Sequence, residues 1–157
     1  MPLGNLTSQF FANVYLNELD YFVKHILKIK YYIRYVDDFV ILHYSLKQLK
    51  TWKIEIENFL SQKLKLCLHP NKSRIISIYR GIDFVGFRNY KKWKLLRKRN
   101  IRNMKRKIGL YRDGKMGFGD IFYSYRGWKA YSVWAESYKL RERLKREIID
   151  ILWNTTQ

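Results

Sequence analysis

Two adjacent carboxylates, Asp37 and Asp38, lie in the segment KYYIRYVDDFVIL, residues 30–42, which is otherwise largely apolar, aromatic and β-branched. This composition predicts strands that bury at least one face. Two neighbouring carboxylates repel each other by about 4 kcal/mol at about 4 Å in an effective dielectric of about 20. A divalent cation such as Mg²⁺ neutralises such a pair, because it takes oxygen ligands and completes its shell with water and substrate phosphates. The pair therefore indicates a metal site.

The alternative is an ordinary aspartate-rich turn in solvent. The flanking sequences, YYIRYV before the pair and FVIL after it, weaken that alternative because a solvated turn needs no apolar strands around it. We predict strands over residues 31–35 and 38–43, with the two aspartates near their junction.

The net charge of the chain is +19, from 32 Lys and Arg against 13 Asp and Glu, which suits a polyanionic partner. Eleven of the basic residues and no acidic residue lie between Lys91 and Arg112, with Trp93 and Tyr111 among them. This run is either a solvated, self-repelling surface or a surface that follows phosphates and stacks a base or sugar, and the aromatic residues favour the second. A basic protein with one compact anionic spot suits an enzyme that acts on a phosphate chain.

Hydrophobic residues make up 47% of the chain, which excludes wholesale disorder. The single cysteine, Cys67, excludes an internal disulfide and indicates a reducing, cytoplasmic setting. No apolar run approaches the roughly 20 residues of a membrane span, and the N-terminus lacks a secretory pattern.

The periodicity of apolar residues predicts an α+β fold. We expect amphipathic helices over residues 8–28 and 45–62, strands over 64–78 broken at His69–Asn71, and a hairpin over 81–96 that turns near Asn89–Lys92. Beyond Arg97 we expect only helices: a basic one to about Ile108, an aromatic one over 120–134, and a last one over 137–153. The residues expected to break the helix after the basic segment are Gly109, Gly114, Gly117 and Gly119. The change in composition predicts a boundary near residue 97.

Several segments, in order, resemble bacterial reverse transcriptases. YVDD resembles the active-site hairpin of that family, and its neighbours resemble the palm motifs on either side. The further matching segments are PLGNLTSQFFANVYLNELD (2–20), LKLCLHPNKSRI (64–75), the primer-grip-like GIDFVGFRNY (81–90) and the thumb-like SYRGWKAYSVWAESYKLRERL (124–144). The resemblance implies part of a polymerase palm over residues 1–96, an antiparallel sheet with the YVDD hairpin and two packing helices, followed by a small all-helical thumb over 97–157.

The resemblance implies an RNA-directed DNA polymerase that works by two-metal nucleotidyl transfer with Mg²⁺, or with Mn²⁺ in its place. One ion activates the primer 3′-hydroxyl and the other stabilises the leaving pyrophosphate. Asp37 matches the aspartate that binds both ions, and Asp38 matches an auxiliary ligand. Lys72 matches the lysine that protonates pyrophosphate, although a solvated lysine after a turn is the alternative.

Other residues match the family's binding positions for nucleic acid. Those that match nucleotide or template contacts are Gly4, Ser8, Gln9, Tyr35 and Val36. Those that match the primer grip are Phe84, Val85 and Gly86, with plain hairpin core as the alternative. The expected contacts to the nucleic-acid backbone are Arg97, Lys98, Arg99, Arg102, Lys105 and Arg106. Arg34 either contacts a phosphate or pairs with a neighbouring acid.

The sequence departs from the family pattern in one informative way. The family places a further metal-binding aspartate, and the fingers, upstream of the motif that begins at Pro2, and no Asp precedes Asp20. We therefore expect a chain that binds an RNA template, a DNA primer or their hybrid, and dNTP, but does not synthesise DNA alone. We also expect an uncovered strand edge, uncovered apolar helix faces and a homo-oligomer.

The motif LGNLTSQ, residues 3–9, is similar to the form found in diversity-generating retroelements, whose enzymes use a basic accessory protein. A group II intron-like or abortive-infection relative is the alternative subtype. The alternative function is a non-catalytic RNA-binding remnant or a maturase-like cofactor that uses the basic thumb.

Overall fold

The computed structural model describes residues 6–155, and it confirms the α+β class. Five α-helices and two small antiparallel sheets lie within these residues. The helices are α1 (Leu6–Tyr21), α2 (Leu46–Lys63), α3 (Lys98–Arg112), α4 (Phe118–Ser132) and α5 (Tyr138–Thr155). The strands are β1 (Tyr32–Tyr35), β2 (Asp38–Ile41), β3 (Ile82–Phe84), β4 (Phe87–Asn89) and β5 (Lys94–Leu96). A π-helical turn, Phe22–Ile26, continues α1, and a 3₁₀ turn, Ile78–Arg80, precedes β3.

The chain divides into two compact units, Met1–Ile76 and Ser77–Gln157. The core of the first unit joins the end of α1, its π-helical continuation and α2. Its buried members are Leu19, Val23, Ile29, Ile56, Leu60 and Leu64. The apolar residues of both helices recur at helical spacing in the sequence. Each helix therefore presents one apolar face to this core.

Strands β1 and β2 pair antiparallel in the first unit, from Tyr32 opposite Ile41 to Tyr35 opposite Asp38. The two strands predicted on either side of the aspartates are thus confirmed, each within two residues of its expected end. The loop between them contains only Val36 and Asp37, so that the hairpin is of the tightest common kind.

The second unit contains the sheet β3–β4–β5, in which each strand pairs antiparallel with the next. The turn expected near Asn89–Lys92 lies between β4 and β5, where the Tyr90 N–H donates to the Trp93 carbonyl over 2.9 Å. A second tight turn, at Val85–Gly86, separates β3 from β4. The residue pattern did not predict this turn, although the resemblance to the primer-grip hairpin implied a hairpin within residues 81–90.

Helices α3, α4 and α5 form the core of the second unit. Its buried residues are Met104, Ile108, Tyr111, Ile121, Tyr125, Leu144, Ile148 and Ile151. The sheet packs on this bundle, because the Glu136 N–H donates to the Lys94 carbonyl over 2.9 Å and the Phe87 ring stacks on Tyr131 at 4.7 Å between centroids. The boundary between the two compact units therefore lies before strand β3, so that the whole sheet β3–β4–β5 belongs to the second unit. The assignment of palm and thumb to either side of residue 97 stays a prediction.

Two expectations about local structure are wrong. Residues 64–78 contain no strand, although their alternating pattern predicted two, since alternation shows two faces but does not provide a partner strand. Gly109 lies inside α3 and Gly119 inside α4, so that neither glycine breaks a helix. A single interior glycine costs about 1 kcal/mol, which is less than the packing of Ile108 and Tyr111 on either side contributes.

The first unit exposes apolar side chains. On α1, Phe10 is 64% and Phe11 60% exposed, and on β1 the outward side chains Ile33 and Tyr35 are exposed in the same way. Uncovered apolar helix faces were expected, and the described residues confirm them. The homo-oligomer stays a prediction. Among residues 6–155, no helix combines the length and apolar character that crossing a membrane requires.

Candidate active site

The two aspartates occupy the tip of the β1–β2 hairpin. Asp37 is the second residue of the loop, and Asp38 begins β2 opposite Tyr35. Both are exposed, and within the described part of the chain neither carboxylate has a hydrogen-bond or ion-pair partner. The hairpin thus holds two adjacent anionic side chains in solvent, in a protein whose net charge is +19.

The loop residue Val36 has a positive φ of 55°. A two-residue hairpin loop needs positive φ at its first position, which glycine or asparagine normally supplies. A β-branched residue there costs about 1 to 2 kcal/mol, so that the surrounding contacts must hold the loop in place.

The Arg34 guanidinium provides those contacts. Its Nη1 donates to the Val36 carbonyl at 2.7 Å and to Asn13 Oδ1 at 2.9 Å. Its Nε and Nη2 donate to the two oxygens of Asp20 at 2.8 and 2.5 Å, and the Tyr32 hydroxyl donates to Asp20 Oδ1 at 2.5 Å. One side chain therefore joins helix α1, strand β1 and the loop that carries Asp37.

The ionisation of this cluster follows from its contacts. Partial burial alone would raise the pKa of the Asp20 carboxyl, but hydrogen bonds from Arg34 and Tyr32 and the charges of Arg34 and Lys24 lower it below its ordinary value. The hydrogen bond to Asp20 raises the pKa of the Arg34 guanidinium, against its desolvation. Burial raises the pKa of the Tyr32 hydroxyl, and the bond to Asp20 raises it further. Near neutral pH the cluster is an ion pair with a neutral phenol.

Of the two roles considered for Arg34, a phosphate contact or pairing with a neighbouring acid, the cluster shows the second, with Asp20 as the acid. Its side chain is only 11% exposed and binds Asp20 through two nitrogens, so that it is not available to a phosphate. Sequence reasoning missed Asp20 and Tyr32 as its partners. The available signal was the two-residue spacing of Tyr32 and Arg34, which places both on the inward face of β1.

The carboxylate pair fits a divalent metal ion only in part. Within residues 6–155, no three His, Cys, Asp or Glu side chains come together as metal ligands. Mg²⁺ is commonly bound by one or two carboxylates together with substrate phosphates and water. Asp37 and Asp38 fit that role, and they leave the remaining positions to other ligands.

The other predicted nucleotide and template residues lie on different elements. Tyr35 and Val36 share the hairpin tip with the aspartates, whereas Ser8 and Gln9 lie in the first turns of α1. Lys72 is exposed in the loop after α2, where its backbone N–H donates to the His69 carbonyl at 3.2 Å. Gly4 lies outside the described residues.

The predicted primer grip is a rigid turn in the second unit. Phe84 pairs with Phe87 across a loop in which Val85 has φ 47° and Gly86 has φ 79°. A Cβ on Gly86 would lie 2.1 Å from the Tyr131 hydroxyl oxygen, so that only glycine fits there. The Asn89 side chain donates to the carbonyls of Ile82, Phe84 and Phe87. Hairpin packing explains these residues, and a role in primer binding stays a prediction.

The six residues expected to contact the nucleic-acid backbone are all exposed, at the start and along the outer face of α3: Arg97, Lys98, Arg99, Arg102, Lys105 and Arg106. The inward face of the helix holds the apolar residues Met104 and Ile108. Of the six, only Arg97 forms an ion pair within the described residues, with Asp83 at 3.6 Å. The helix thus presents a largely unneutralised cationic surface.

We predict that Asp20→Asn lowers the free energy of unfolding by about 1 to 2 kcal/mol near neutral pH, because it removes the charge that pairs with Arg34. The folded pKa of Asp20 is lowered, so that its stabilisation is present above the ordinary value of 3.8 and is lost as the pH falls through the folded value. Urea denaturation at about pH 7 and about pH 3 measures both effects.

The matched control is Glu18→Gln, an exposed carboxylate on the same helix. We expect it to leave the stability nearly unchanged. An equal effect of both substitutions, or a deficit of Asp20→Asn that persists at low pH, would contradict the ion pair.

Comparison with known proteins supplies the family. Residues 1–89, more than half of the chain, match the family model described as reverse transcriptase (RNA-dependent DNA polymerase). No curated protein matches the chain. The matched range includes the whole β1–β2 hairpin with Asp37 and Asp38. The chain belongs to the reverse transcriptase family.

Proposed function

We propose that this chain carries the metal-binding hairpin of an RNA-directed DNA polymerase that extends a DNA primer on an RNA template with dNTP. The observation that carries the proposal is the pair of exposed carboxylates, without partners among the described residues, at a hairpin tip that Arg34 holds to α1. The family match covers this hairpin.

Asp37 and Asp38 are the proposed ligands of the divalent cations, Mg²⁺ or Mn²⁺. When bound, the cations make the primer 3′-hydroxyl a better nucleophile and stabilise negative charge on the leaving pyrophosphate. The protein's own contribution is to hold two hard oxygen donors side by side, at a loop whose carbonyl is fixed by Arg34. That fixation reduces the reorganisation needed when substrate binds.

The other residues are proposed to hold the substrates. The residues assigned to the nucleotide and template are Gly4, Ser8, Gln9, Tyr35 and Val36, the last two beside the primer terminus. Lys72 is assigned as the acid that protonates pyrophosphate. Its exposed position in a turn agrees with this role, and with the alternative of a solvated lysine. Phe84, Val85 and Gly86 are assigned to the primer grip.

The basic face of α3 is proposed to hold the phosphates of the primer–template duplex. Its six exposed cations lie along one helix, so that they can follow a nucleic-acid backbone and release counterions on binding. We assign residues 1–96 to the palm and 97–157 to the thumb. The motif LGNLTSQ supports assignment to the diversity-generating retroelements, with a basic accessory protein as a further partner.

A non-catalytic RNA-binding or maturase-like role is the second candidate. The same basic face supports it, because phosphate contacts by Arg102, Lys105 and Arg106 need no carboxylate. The two candidates differ in what Asp37 does.

We predict that Asp37→Asn weakens Mn²⁺ binding about tenfold or more, because the substitution removes one charged metal ligand. RNA affinity should stay unchanged, because the cations of α3 that contact phosphates remain in place. Electron paramagnetic resonance of free Mn²⁺ and fluorescence anisotropy of a labelled RNA measure the two affinities. Arg106→Gln is the converse control, expected to weaken RNA binding only. Equal Mn²⁺ binding by wild type and Asp37→Asn would favour the RNA-binding candidate.

We also predict that the 157-residue polypeptide binds a primer–template without extending it, because the described residues bring no third carboxylate to Asp37 and Asp38. A primer-extension assay with dNTP and Mg²⁺ or Mn²⁺, with Asp37→Ala as control, checks this. Substantial synthesis that depends on Asp37 would show that another group completes the metal site.

A further inference from the structure

An aromatic cleft at the β4–β5 turn of the second unit has no place in the function proposed above. It has a volume of about 280 Å³, and its walls are Tyr79, Tyr90, Lys91, Lys92 and Trp93. Tyr79 is 76% and Trp93 51% exposed, which is costly for large aromatic rings that no other part of the described chain covers. We call these five residues the aromatic cleft.

The turn itself builds the cleft. Tyr90 and Trp93 face each other across the two-residue tip formed by Lys91 and Lys92, and the Tyr90 N–H donates to the Trp93 carbonyl. Their rings stack, with centroids 5.5 Å apart and planes 24° apart. Two stacked aromatic side chains and two lysines therefore line the same cleft.

Contacts with the 3₁₀ turn hold the cleft in one shape. Gly81 has φ 76°, and a Cβ there would lie 2.9 Å from Tyr90 Cζ, so that the absence of a side chain lets the Tyr90 ring lie against the backbone. The Arg88 Nε and Nη2 donate to the Arg80 carbonyl at 3.2 and 3.0 Å, which ties the turn that carries Tyr79 to strand β4. The rings are thus positioned before any ligand binds.

We propose that the aromatic cleft is a stacking site for an unpaired base of single-stranded nucleic acid. The exposed rings of Tyr79 and Trp93 offer the base a π-face, and Lys91 and Lys92 offer the adjoining phosphates a positive charge. Among the described residues, no acidic side chain lines the cleft to repel them. This pairing of aromatic platforms with cations favours nucleic acid over an apolar partner.

The site differs in chemistry from the basic face of α3. Phosphate contacts there depend on charge alone, whereas the aromatic cleft gives a preference for a strand that carries bases. The proposal does not depend on polymerase activity, because base stacking requires neither a divalent cation nor Asp37.

The test compares binding of oligothymidylate with binding of an equally long abasic oligodeoxynucleotide, both without divalent cations, by fluorescence anisotropy with the full chain. The two ligands carry the same phosphates and differ only in their bases. We expect wild type to prefer the base-bearing strand by about fivefold or more, since one base stacked on an aromatic ring contributes about 1 to 3 kcal/mol.

Trp93→Ala should abolish that preference and leave the affinity for the abasic strand unchanged, whereas Trp93→Phe should retain most of it. The double substitution of Lys91 and Lys92 by Gln should weaken both ligands by similar factors. Tyr79→Ala tests the same preference without altering the hairpin turn. The control Tyr123→Ala removes a ring of similar exposure from α4 and should change nothing.

The proposal is overturned if wild type binds both strands equally, which would make the surface a general polyanion site. It is also overturned if Trp93→Ala and Tyr79→Ala keep the wild-type preference. Loss of affinity for both strands in both variants, with the preference between them unchanged, would assign the rings a structural role and overturn it as well.

Discussion

The guanidinium of Arg34 is the contact on which the candidate active site depends. It binds both oxygens of Asp20, the side chain of Asn13 and the carbonyl of Val36, so that a single planar group fixes helix α1 to the loop of the β1–β2 hairpin. Without it, a valine at positive φ would leave the loop free to change conformation. The ion pair between Arg34 and Asp20 therefore helps to hold in place the loop that carries Asp37, whose carboxylate has no partner among the described residues.

The acidic residues of the first unit differ in whether they are paired, and therefore in what they can do. The paired acid, Asp20, is partly buried and stabilises the fold, whereas Asp37 and Asp38 are exposed and have no partner among the described residues. In the second unit most exposed cations of α3 likewise lack acidic partners among the described residues; the exceptions are Arg97 at its start and Arg112 at its end. Within the described residues, a chain of net charge +19 thus exposes a carboxylate pair at the hairpin tip and a cationic face on α3, a combination that suits a metal-dependent enzyme acting on nucleic acid.

Periodicity predicted the elements well where one face is buried. The apolar residues of α2 and α5 recur every three or four positions, because each helix packs on one side only. The same reasoning failed for residues 64–78, whose alternation has no partner strand within the described residues. It also missed the Val85–Gly86 turn, since valine is a poor indicator of positive φ.

The site was predictable in its residue types but not in its contacts. The adjacent aspartates and the apolar strands beside them identified the hairpin tip, because two neighbouring carboxylates repel each other unless a cation neutralises them. The partner of Arg34 was not predictable, since Asp20 lies on another element and only the packing of α1 against β1 brings the two together. Likewise, Trp93 was recognisable as an aromatic residue in a basic run, but its stacking on Tyr90 depends on the turn and on Gly81.

The most direct test of the account is the position of a bound cation. Anomalous diffraction from a crystal of the chain soaked with Mn²⁺ should give a peak within bonding distance of the carboxylate oxygens of Asp37 and Asp38, and the peak should be absent in Asp37→Asn. A peak of equal height in that variant, or no peak at the hairpin tip of the wild-type protein, would contradict the metal-binding role of this hairpin.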